Sequence, residues 1–170
     1  MYFWLPTYMT HVKGEGIGPI LGLTLSTVFI GAIPGQIFYG ILVEKFDKRY
    51  MLGMSSGGAA LSMLGYVFIG GYPGLLLVAA FGFFTFSSFP TLLSLTSDYV
   101  PQSSTSAAIA FVWGLGTTGG NVLGPALIGG MVGSDYSLLN SAFFVMIAIG
   151  LLGAAATPLM PRPGNPESRK

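Results

Sequence analysis

Between Ile17 and Val43 no side chain carries a charge, and the pattern returns over Tyr50–Ile69, Leu75–Thr96, Ala107–Val132 and Ser137–Leu159. Each run reaches or exceeds the roughly 20 apolar residues that a helix needs to cross a bilayer. None alternates with the two-residue period of a barrel strand. Charged residues make up 8% of the 170-residue chain, against about 25% in a soluble domain, so they cannot cover the surface of a water-soluble globule. The fold class predicted is therefore an all-α integral membrane protein. Residues 1–160 form a bundle of five transmembrane helices, at about 17–43, 50–69, 75–96, 107–132 and 137–159, and residues 161–170 form a disordered cytoplasmic tail. The opening Met1–Met9 is apolar and aromatic but, at about 1.5 Å per residue, spans less than half the hydrocarbon core. It reads as an interfacial segment or a short N-terminal helical remnant.

Short connections make neighbouring helices antiparallel, and the cations then orient them. Lys45, Lys48, Arg49, Arg162, Arg169 and Lys170 fall on one side, and Lys13 alone on the other. The first side, with the C-terminus, is read as cytoplasmic. The chain has no cysteine and one histidine, His11, so no metal site and no cofactor is expected. No basic patch suits a nucleic acid, and no Ser/His/Asp set or carboxylate pair suits an enzyme.

Small and polar residues recur at helical spacing. Gly31 and Gly35, Gly53 and Gly57, and Gly116, Gly120 and Gly124 form ridges that let helices approach closely. Pro34, Pro90 and Pro125 lie inside spans, and each frees a backbone carbonyl that lipid cannot satisfy. Ser87, Thr91 and Ser94 share a face that Asp98 continues, and Trp113, Thr117 and Asn121 share another. With Thr24, Thr27 and Gln36 of the first span, these make spans one, three and four the expected walls of a solute path. The same hydroxyls also fit ordinary bonding across helix interfaces, and the glycines ordinary packing. Ala142–Ala156 has no polar side chain and reads as lipid-facing. No span carries a charge, so these helices do not by themselves couple transport to protons.

The run Gly40-Ile-Leu-Val-Glu44-Lys45-Phe-Asp47-Lys48-Arg49 resembles the Gly-x-x-x-Asp-Arg/Lys-x-Gly-Arg-Arg/Lys loop of the major facilitator superfamily. Glu44 stands for the usual Asp and Asp47 for the usual Gly. Phe3-Trp-Leu-Pro6-Thr-Tyr8 resembles the end of that family's seventh helix, and Pro101 the proline leading to its eleventh. Gly124-Pro125 with Gly129-Gly130 resembles its glycine-proline helix. The third span lacks the arginine that the family's fourth helix often carries. The resemblance implies the C-terminal half, from the end of the seventh helix through the twelfth.

That resemblance implies a secondary transporter, a symporter or antiporter of the cell membrane, or its C-terminal portion. It would move a small organic solute through the lipid bilayer by alternating access. Glu44, Lys45, Lys48 and Arg49 would form a cytoplasmic latch, with Asp98 as partner for Lys45 or Arg49. Equally, these cations set topology and bind anionic headgroups. A missing N-terminal half or a second copy is the expected partner. The alternative is a non-transporting membrane subunit or truncated gene product that associates with a partner helix bundle.

Overall fold

The computed structural model describes residues 1–15 and 18–163, whose regular structure is all helical. A 3₁₀ turn, Tyr2–Trp4, leads into α1, Leu5–His11. Then follow α2 (Pro19–Leu42), α3 (Lys48–Phe68), α4 (Gly71–Tyr99), α5 (Thr105–Val112), α6 (Gly119–Val132) and α7 (Leu139–Ala156). Between α5 and α6, Trp113–Thr118 forms a π-helical turn. Of the expected tail, residues 164–170 lie outside the described residues.

Local chemistry sets the boundaries. Pro19 lies in the first turn of α2, where its missing N–H leaves no bond unmade. The Asp47 carboxylate caps α3 by accepting from the Arg49 backbone N–H at 3.0 Å. Gly71, at φ +66°, supplies the left-handed backbone that reverses the chain between α3 and α4. Val100 is extended ahead of Pro101 and ends α4.

Pro19–Leu42, Lys48–Phe68, Gly71–Tyr99 and Tyr136–Leu159 are long and apolar enough to cross a membrane. The expected fourth span, 107–132, differs. Its backbone is helical from Thr105 to Val132, but the π turn divides it into two shorter α-helices. Glycine and threonine crowd that turn, and they hold α-geometry poorly.

Across the bundle the helices lie in the order α2, α4, α3, α7, with α5 and α6 crossing one flank. At the α2–α4 contact backbone meets backbone. A Cβ added at Gly31 would run into the Ala79 carbonyl, at Gly35 into that of Phe83, and at Gly82 into that of Val28. Gly53 and Gly57 sit against Thr157 and Ala154 at the far end of α7. The third ridge is a correction. Nothing lies within 4 Å of a Cβ built on Gly116 or Gly120, and Gly124 meets only Met146 Cε at 3.7 Å. Gly116 and Gly120 therefore pack against no other helix among the described residues, whereas Gly124 touches α7 and Gly129 meets the Trp4 ring at 3.4 Å.

The opening segment is packed into the bundle. Leu5, Tyr8 and Met9 are fully buried in the core with Met63, Tyr66 and Phe143. The Tyr8 ring stacks on Phe143 with centroids 4.2 Å apart, and its O–H donates to Asn140 Oδ1 at 2.9 Å. The Trp4 indole N–H donates to the Pro125 carbonyl at 3.2 Å. These two bonds tie the segment to α7 and α6. The helix α7 is exposed along one side but buries Ala142, Phe143 and Ile147.

Candidate functional site

The charged groups gather at the two ends of the bundle. At one end the Asp47 carboxylate binds Arg49 twice, through NH2 at 2.6 Å and Nε at 3.1 Å. Hydrogen bonding to that guanidinium holds the Asp47 carboxyl below its ordinary range. Arg49 also donates to the Met160 carbonyl at 2.7 Å, and the Tyr99 hydroxyl to that of Pro161 at 2.5 Å. Together they anchor the chain that leaves α7. Asp98 pairs with Lys48 at 2.6 Å, not with Lys45 or Arg49 as the sequence suggested. Lys48 opens α3 on the side facing the end of α4. Arg49, one residue on, is turned toward Met160, and Lys45 lies in the exposed loop. Among the described residues Glu44 and Lys45 make no ion pair, and a Cβ built on Gly40 meets nothing within 4 Å.

At the opposite end the α1–α2 connection grips the α3–α4 turn. Lys13 Nζ donates to the Val67 carbonyl at 2.6 Å, and Glu15 Oε1 accepts from the Gly71 N–H at 2.5 Å. The Tyr66 hydroxyl donates to Glu15 Oε2 at 3.5 Å, and the Lys13 ammonium lies 5.8 Å from the Tyr66 ring centroid. One cation thus serves a helix C-terminus and one anion a helix N-terminus, the pairing the helix dipole favours.

The polar stripes divide. Thr24 donates to the Ile20 carbonyl at 2.8 Å, Thr91 to that of Ser87 at 3.1 Å, and Ser87 to that of Phe83. All three are buried at or beside the α2–α4 contact. Their hydroxyls are satisfied on their own helices, the ordinary bonding that the sequence also allowed. Thr27 is exposed and bonds back to Leu23 at 2.7 Å. Gln36 and Asn121 are exposed and Thr117 is half-buried. No hydrogen bond from these three side chains to another described residue is present.

Trp113 joins a continuous run of aromatic rings. Its ring lies 5.0 Å from Phe89, which lies 5.8 Å from Phe86. Phe86 lies 5.9 Å from Phe29, Phe29 5.8 Å from Tyr2, and Tyr2 5.8 Å from Phe3. The ladder crosses four elements: the opening turn, α2, α4 and the π turn. Phe29 is 49% and Trp113 42% exposed. Gln36 lies two helical turns beyond Phe29 on the same side of α2. Elsewhere α2 exposes Leu23, Ile30, Ile33, Ile37, Phe38 and Ile41.

A hollow of about 550 Å³ opens between α3, α4, α6 and α7, with Met1–Phe3 at its edge. Its walls are mostly small: Ser55, Ser56, Ala59, Ala60, Gly120, Gly124, Gly150 and Gly153. Asn121 lines it, and the Thr85 hydroxyl in its wall is buried without a partner among the described residues.

The sequence profile of the Major Facilitator Superfamily matches residues 1–170. The chain belongs to the Major Facilitator Superfamily. Searches of curated proteins and of solved structures return no match. Membership makes this a multi-pass membrane protein of a family that transports small solutes across the bilayer. Of the family-like loop, Asp47, Lys48, Arg49 and the more distant Asp98 are engaged in ion pairs. Sequence reasoning missed the Lys13–Glu15 grip, because its partners stand more than fifty positions away. It also missed the ladder. Phe29, Phe86 and Phe89 read as ordinary apolar residues until the helices are set side by side.

Proposed function

We propose that this facilitator-superfamily chain forms the C-terminal half-bundle of a secondary transporter that moves a small organic solute by alternating access. The observation that carries the reading is the aromatic ladder from Tyr2 to Trp113, accompanied by the unbonded side chains of Gln36 and Thr117. Lipid cannot satisfy such side chains, whereas a solute path or a facing half-bundle can. The excess of Lys and Arg at the Lys48 end supports a cytoplasmic position for that end and for the C-terminus, with the plasma membrane as the host bilayer. The Lys48–Asp98 pair is the latch in its closed form, and Glu44 and Lys45, unpaired among the described residues, pair in the other state. A second half-bundle or a second copy of the chain completes the path.

The natural absence of cysteine makes the test clean. Single cysteines at Gln36, Thr117 and Ile41 are introduced and exposed, in intact membranes, to a membrane-impermeant thiol reagent. Gln36→Cys and Thr117→Cys should label and Ile41→Cys should not. Asp98→Asn should change the labelling rate at Gln36 several-fold by opening the latch. Equal protection of all three positions would overturn the path.

The hollow with small-residue walls favours a second reading, a membrane subunit that seats a partner's helix. It is distinguished by co-purification: a defined partner that protects Ser56→Cys without any labelling at Gln36 or Thr117 supports the subunit.

A further inference from the structure

Resting on the transporter reading, we propose that the solute is an uncharged, planar, largely apolar molecule that stacks on the ladder and takes a hydrogen bond from Gln36 or Thr117. Three observations converge on that chemistry.

Aromatic rings form a continuous run. α2 contributes Phe29 to it, and the neighbouring rings come from the opening turn, α4 and the π turn. Offset and edge-on ring contacts are favourable at centroid separations of about 4.5–7 Å. Every step of the ladder lies within that window, from 5.0 to 5.9 Å. Phe29 and Trp113 remain open to receive another ring.

Charge is missing where an ion would need it. No charged side chain occurs among the ladder residues or within the spans that carry them. The described ion pairs and the Lys13–Glu15 grip all sit at helix ends, and their groups already serve Asp98, Arg49, Val67 or Gly71. An ion held at bilayer depth requires a counter-charge or dense hydrogen bonding. Ring faces attract cations, but cannot replace the whole hydration shell of one.

Hydrogen-bonding capacity is present but sparse. Gln36 offers two donors and an acceptor, and Thr117 a hydroxyl. Both are unbonded among the described residues. Gln36 lies about 10 Å along the axis from Phe29, within reach of one polar substituent on a molecule of two or three fused rings.

The test uses three probes on comparable bicyclic frames: neutral naphthylmethanol, anionic naphthoate and cationic N-methylquinolinium. Binding of each radiolabelled probe to the chain in lipid nanodiscs is measured by equilibrium dialysis, with empty nanodiscs subtracted. Naphthylmethanol should bind saturably and at least ten-fold more tightly than either ion. Phe89→Leu and Trp113→Leu, which keep apolar bulk but remove the ring, should each weaken it about ten-fold. Ile41→Ala should not. Circular dichroism and elution volume confirm that each variant is folded. Tighter binding of either ion with the same dependence on Phe89 and Trp113 overturns the solute class while leaving the transporter standing. Binding of no probe with ring dependence, while Gln36→Cys and Thr117→Cys still label, overturns the ladder as a site but not the path. Loss of that labelling is the separate result that defeats the transporter reading itself.

Discussion

Asp47 has three duties: it caps α3, pairs with Arg49, and through Arg49 holds the Met160 carbonyl. Its carboxyl is pulled below the ordinary value by the guanidinium hydrogen bonds. A carboxylate with a depressed folded pKa contributes stability above its unfolded value, about 3.9. That contribution is lost as pH falls through the lower, folded value. The anchor on Thr157–Pro161 should therefore hold at pH about 5 and loosen only below about 4. Limited proteolysis of this segment across that range measures it. Asp47→Asn should give the loosened cleavage pattern at every pH, and a variant that still tightened above pH about 4 would refute the assignment. A cluster of charge in the loop before α3 could be read from the sequence, whereas the pairing within it could not. Which cation faces Asp98 depends on a single residue of helical phase, and Lys48 has it.

Helix existence was readable because uncharged runs of about 20 residues leave few alternatives. Which glycines touch another helix was not, since a ridge of small residues looks the same whether it is covered or bare. Gly31 and Gly82 press against opposing backbone, while Gly116 faces open space. Similarly Ser87 and Thr91 looked like a polar wall, yet they are small enough to sit beside a glycine-tight contact with their hydroxyls turned back on α4. The π turn left only an indirect trace, the glycine and threonine of Trp113–Thr118. These contrasts give opposite expectations for one kind of substitution. Gly31→Ala and Gly82→Ala should each destabilise the bundle by about 1–3 kcal/mol through overpacking. Gly116→Ala should be neutral or stabilise by up to about 1 kcal/mol, because alanine loses less backbone entropy in a helix. Thermal or denaturant unfolding in detergent compares all three, and a similar loss in each would show that the bare ridge is covered.

The helices do not share their constraints equally. The α3–α4 hairpin is fastened at both ends, by Lys48–Asp98 and by the Lys13–Glu15 grip. Through the glycine contact α4 carries α2 with it, and α7 rides on α3. The Thr105–Val132 helix has none of these fastenings. It meets α4 and α7 over short stretches, bears a π turn at its middle, and takes one side-chain bond from Trp4 at Pro125. Few buried contacts and an irregular hydrogen-bond ladder make it the element that opens most readily. Amide exchange in detergent should therefore be fastest for residues 105–132 among the long helices, and slowest where α2 meets α4. Glu15→Ala should speed exchange near Gly71 and leave residues 105–132 unchanged, since the grip does not reach them. If that substitution accelerated both regions together, the two parts would be one cooperative unit. A helix that moves Trp113 and Thr117 relative to Phe29, Phe86 and Phe89 would then have no structural basis.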